Sequence, residues 1–137
     1  MRPADAEIQE RVDRLFDRFE RMTDAEFMLL RTIWDEQDAT ARQDAWTMVK
    51  VAIDQTGRER LLNDARNRIA AWVNNYPYRA AFPDTLGTLG TSGLDASSVR
   101  QAAIPPMLDA IAATIASDSL SAEDQTALLE PLARLAT

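Results

Sequence analysis

The apolar residues of this chain recur at helical spacing over most of its length. Between Asp5 and Met22, the residues Ile8, Val12, Leu15, Phe19 and Met22 step by four, three, four and three, and Phe16 widens the stripe. That spacing keeps one face of a helix toward a partner. Glu7–Arg11, Glu10–Arg14 and Asp17–Arg21 set an acid one turn before a base, each pair adding a few tenths of a kcal/mol on an exposed flank. The seam spans about two heptads, short of the three or four of a free-standing coiled coil. Packing inside a bundle is therefore the first reading of this helix, and a dimerising arm its rival.

Thr23-Asp24-Ala25-Glu26 has the form of a capping box and opens a second helix with Phe27, Leu30, Ile33 and Trp34, ending near Gln37. A third helix, from about Thr40 to Gln55, turns Ala45, Trp46, Val49, Ala52 and Ile53 inward. Thr56-Gly57-Arg58-Glu59 reads as stop, cap and restart. The fourth helix buries Leu61, Leu62, Ala65, Ile69, Trp72 and Val73 and is expected to end at about Asn74. Short joints of this kind predict antiparallel neighbours.

The pattern then breaks. Residues 75–94 contain Pro77, Pro83 and a glycine at every third position from Gly87 to Gly93, which predicts a long packed loop. Asp95 caps a short helix to about Ala103, and Pro105-Pro106 should interrupt or restart it. From Met107 to Ala116 the chain is apolar on nearly every side, as in a helix central to a bundle or one at a subunit interface. Ser121 caps the last helix, and Pro131 inside it predicts a kink or a split, because the ring would clash with the carbonyl of Ala127. The expectation is one all-α domain over 1–137: a bundle of about six helices, at 5–74 and 95–136, around a Pro/Gly-containing loop at 75–94.

Composition narrows the chemistry. The chain has 137 residues, enough to bury a core without a staple. Its net charge is −7 and Lys50 is its only lysine; nucleic acids and anionic membranes demand the reverse balance, so neither is an expected partner. With no Cys and no His, thiolate chemistry, zinc ribbons and His-dependent hydrolysis drop out. Neither a leader segment nor a spanning run is present, so a cytoplasmic location is expected. The arginine- and alanine-rich usage suits a GC-rich bacterial genome.

Three constellations remain. Gly87, Gly90 and Gly93 lack both the Gly-Lys-Ser/Thr of a phosphate loop and a strand before them, so a plain loop is preferred. The acid groups Asp13, Asp17, Glu20 and Asp35, Glu36, Asp38 fit no calcium-loop pattern and read as solvated faces. Trp72, Asn74, Asn75, Tyr76, Tyr78, Arg79 and Phe82 combine aromatic area with polar tips, the mixture found in binding hot spots; the plainer reading has them fasten the loop to the core.

From these residues we expect a non-catalytic module that binds itself or another protein, a homodimer by preference. Met107, Ile111 and Ile115, or the first helix, would form its contact face. The alternative is a small-molecule or metal-binding protein, conceivably an enzyme, with Trp72, Asn75, Tyr76, Tyr78, Arg79 and Phe82 at a pocket under residues 74–94. No cofactor and no metal site is expected.

Overall fold

A computed structural model of the chain describes residues 3–80 and 96–135; at 3, 74–80 and 96–97 it describes the backbone alone. Among the described residues there are seven helices and no strand. They are α1 (Pro3–Arg21), α2 (Asp24–Asp35), α3 (Ala39–Thr56), α4 (Glu59–Ala80), α5 (Ala96–Ala102), α6 (Ile104–Ile115) and α7 (Ala122–Leu135). The all-helical bundle expected from the apolar spacing is the fold.

The helix boundaries follow local chemistry. Thr23 and Glu26 form the reciprocal capping box of α2, the Thr23 hydroxyl accepting the Glu26 amide at 3.1 Å and the Glu26 carboxylate accepting the Thr23 amide at 3.0 Å. Asp38 caps α3 through the amide of Thr40 at 2.9 Å. Ser121 caps α7 through the amide of Asp124 at 3.1 Å. At the end of α3, Gly57 adopts φ 67°. Its amide bonds to Asp54, and the Arg58 amide reaches back to Ile53, the double closure that a left-handed residue makes possible.

Three boundaries lie at prolines; the first restarts a helix as expected, and the other two depart from expectation. Pro105 and Pro106 lie in the first turn of α6, where the missing amides would have had no intrahelical acceptor. They therefore start a helix of their own, which raises the expected six helices to seven. The fourth helix does not stop at Asn74 but runs through Pro77 to Ala80, so that its last turns occupy part of the expected loop. The loss there is the single bond Pro77 cannot donate, set against a helix already nucleated over four turns. Pro131 neither splits nor ends α7. The carbonyl it leaves without an intrahelical donor, that of Ala127, instead accepts the Gln37 side-chain amide at 2.8 Å.

The core centres on α6, which packs against every other helix. Pro106, Met107, Asp109, Ala110, Ile111, Ala112, Ala113 and Ile115 are all buried. Around it close Ile8, Val12, Phe16 and Phe19 of α1, Met22 just after it, Phe27 and Leu30 of α2, Val49 and Ile53 of α3, and Ile69 and Val73 of α4. The α1 stripe is thus used inside the bundle.

A Cβ added at Gly57 would meet nothing within 4 Å, so a substitution there tests the backbone alone. Gly57→Ala should lose about 1 kcal/mol of unfolding free energy in urea, and Gly57→Asn less, since asparagine tolerates the left-handed region. Equal stability of all three proteins would show that α3 does not need this closure.

Candidate functional site

The most unusual chemistry in the molecule is a carboxylate in its centre. Asp109 is the one acid in the apolar segment of α6 and is 3% exposed. One of its oxygens accepts the indole N–H of Trp34, from α2, at 2.8 Å, and the other accepts that of Trp46, from α3. The Arg42 guanidinium stacks on the Trp34 ring at 3.8 Å and donates to the Trp34 carbonyl at 3.0 Å. Burial pushes the Asp109 carboxyl above its ordinary value; the two indoles, and behind them the Arg42 charge, pull it partway back. Each oxygen faces a neutral donor inside packed protein. The arrangement ties three helices to one group.

A second buried polar group closes the other end of α6. Arg58, 4% exposed, donates to Asp118 at 2.7 and 2.9 Å, to Asp5 at 2.9 Å and to the carbonyl of Ile115 at 3.1 Å. The bond to Asp118 raises the Arg58 pKa, against desolvation, and holds the Asp118 carboxyl below its ordinary value. One guanidinium thereby joins the start of α1, the start of α4 and the end of α6.

The site residues expected from sequence are dispersed. Met107, Ile111 and Ile115 are each 0% exposed within the single chain. Partners within the chain cover all three. Trp72 is half-buried, its ring 5.7 Å from Phe27, and the Arg100 guanidinium lies over both rings at 4.7 and 4.4 Å. Trp72 thus joins α4 to α2 and α5. Asn74, Asn75, Tyr76, Tyr78 and Arg79 fall in the last turns of α4, with side chains outside the described residues, and Phe82 and the three glycines lie outside them altogether. Of the acid groups, Asp13 accepts from Arg68 at 2.7 Å, Asp35 accepts from Arg31 at 3.0 Å, and Asp38 is a cap. No group of three or more acids among the described residues is placed to hold a metal ion.

The surface adds a concavity that no sequence motif marks. Arg14, Asp17, Arg18 and Arg21 of α1, with Met22 just after it and Glu26 of α2, line a groove of about 450 Å³. Arg18 is anchored there by a 3.0 Å bond to the Leu132 carbonyl.

Neither Asp109 nor this groove stands out in the sequence. A lone acid in an apolar helix is the available signal for the first. For the second it is the step from Arg14 to Arg18 to Arg21, interleaved with acids at pairing distance. No helix among the described residues is long and apolar enough to cross a membrane. No protein-family model, no curated protein and no solved structure matches this chain.

The titration of Asp109 has a definite sign. Its folded-state pKa lies above the ordinary 3.8, so its contribution to stability is greatest below that value and declines as pH rises through the folded pKa. The wild-type protein should therefore lose stability relative to Asp109→Asn as pH rises from about 4 toward neutrality. Asp109→Ala, which strands two indole donors, should cost about 2–4 kcal/mol at neutral pH. Urea unfolding followed by tryptophan fluorescence measures both. A wild-type-minus-Asn difference that does not change with pH would contradict the assignment.

Proposed function

We propose that this protein is a non-catalytic interaction module that associates with a second copy of itself through the outer faces of α2 and α3. Met28 and Leu29 on α2, and Met48 and Val51 on α3, are 50%, 48%, 47% and 42% exposed. This is the observation that carries the reading. The other apolar stripes close on the core, whereas these four large side chains stay in water on two helices that share the Asp109 carboxylate. Met48 and Val51 stand three apart on one helix face and Met28 and Leu29 are neighbours, so each helix presents a local apolar surface and not a scattered residue. Methionine suits such a face because its flexible thioether adapts to a partner. The proposal moves the contact face away from Met107, Ile111 and Ile115. A cytoplasmic setting is part of it.

Light scattering coupled to size-exclusion chromatography tests this. Over about a hundredfold range of concentration, the mass should approach twice 15.3 kDa at the upper end. The double variant Met28→Glu, Met48→Glu should stay at the monomer mass throughout. A wild-type monomer at every concentration, or a double variant that still dimerises, would refute the proposal.

A further inference from the structure

The groove on α1 belongs neither to the core nor to the surface just described. Its positive wall is one helix stripe: Arg14, Arg18 and Arg21 stand at i, i+4 and i+7, and Arg11 continues the stripe one turn earlier. From Arg14 to Arg21 the helix rises about 10 Å. The three guanidinium groups are differently engaged. Arg18 is held in place by the Leu132 carbonyl at 3.0 Å, a neutral acceptor that leaves its charge uncompensated. Arg14 reaches back to Glu10 at 3.0 Å, with the two side chains 71% and 65% exposed, a pair that solvent screens almost completely. Arg21 is exposed and makes no bond to a carboxylate among the described residues.

Two acids share the cavity. Glu26 is occupied by the Thr23 amide in the capping box, and Asp17 is exposed on α1. Three guanidinium groups and two carboxylates line the cavity, and with Glu10 bonded to Arg14 it is Arg18 and Arg21 that have no carboxylate bonded to them among the described residues. The favourable placement of a base in the last turn of a helix accounts for Arg18 and Arg21. It does not account for Arg14, which also lines the concavity.

We propose that this groove binds a small polyanion carrying two adjacent phosphoryl groups. Guanidinium forks pair with phosphoryl oxygens through two parallel N–H donors, and charges spread over about 10 Å call for an elongated ligand and not a single anion. The groove's 450 Å³ lies within the range of small-molecule sites, roughly 300–1,000 Å³. Met22 supplies an apolar floor and is itself buried. Arg18 is the fixed donor, and Arg14 and Arg21 close on the ligand from either side.

Isothermal titration at low ionic strength with inorganic pyrophosphate is the test. A saturable one-to-one isotherm is expected, with a dissociation constant at or below about 1 mM. Arg14→Gln and Arg21→Gln should each weaken it about tenfold, the loss of one charge-assisted pair. Both side chains lie on the surface, and an unchanged thermal midpoint will show that the variants are folded. Arg66→Gln, an exposed arginine on α4 outside the groove, should leave binding within about twofold. Absence of saturable heat would overturn the proposal, as would an equal loss in Arg66→Gln, which would mark diffuse charge. Citrate binding as tightly as pyrophosphate would overturn its phosphoryl chemistry.

Discussion

A helix buried over most of its surface must have its inward polar groups met from within the protein, and that requirement organises this bundle around α6. Its one charged side chain, Asp109, has no access to solvent and takes an indole donor on each oxygen. Leaving such a carboxylate unmet would cost several kcal/mol, so α2 and α3 are held at the distance and rotation that bring Trp34 and Trp46 to it. The carbonyl of Ile115, at the end of the same helix, takes its donor from Arg58. Two polar contacts at separate points thus fix α6 along its axis, where apolar packing alone tolerates sliding and rotation.

The same need recurs at the other helix ends. The last carbonyls of a helix have no donor of their own. Arg42 serves that of Trp34 on α2, Arg31 that of Ala102 on α5, Arg58 that of Ile115 on α6, and Arg18 that of Leu132 on α7. In each case a cation meets the negative end of a helix dipole. This gives a structural reason for a chain rich in arginine and nearly free of lysine. A planar guanidinium with five donors can hold a backbone carbonyl and still stack on a ring or bind a carboxylate, as Arg42 and Arg58 do. It also narrows the search for function, because an arginine spent on a helix end differs from one turned to solvent. Arg14 and Arg21 are of the second kind.

Features governed by neighbours in sequence are legible in the order of residues alone. The α1 stripe, the Thr23–Glu26 box, the Gly57 closure and the Ser121 cap each depend on residues within one or two turns, and each forms as the spacing implies. What escapes such a reading depends on partners far along the chain. Pro131 should break its helix by local rules, but Gln37, distant in sequence, takes up the carbonyl it abandons. Met107, Ile111 and Ile115 belong to a helix apolar all round, and periodicity cannot separate a bundle's centre from a subunit interface; within one chain they are completely buried. The meaning of Asp109 lies in Trp34 and Trp46, which the sequence places in separate helices with no mark that they converge. The exposed Met28, Leu29, Met48 and Val51 are hidden for the converse reason: a helical stripe shows what can be buried and not what stays uncovered.

Native-state hydrogen exchange tests the centrality of α6 most directly. If Asp109 and Arg58 fix a helix on which the others pack, the amides from Met107 to Ala116 should exchange only through global unfolding. They should then be the slowest in the protein, with an opening free energy equal to that from urea denaturation. Exchange in this segment as fast as in α1, through openings that leave the rest of the bundle protected, would contradict the account.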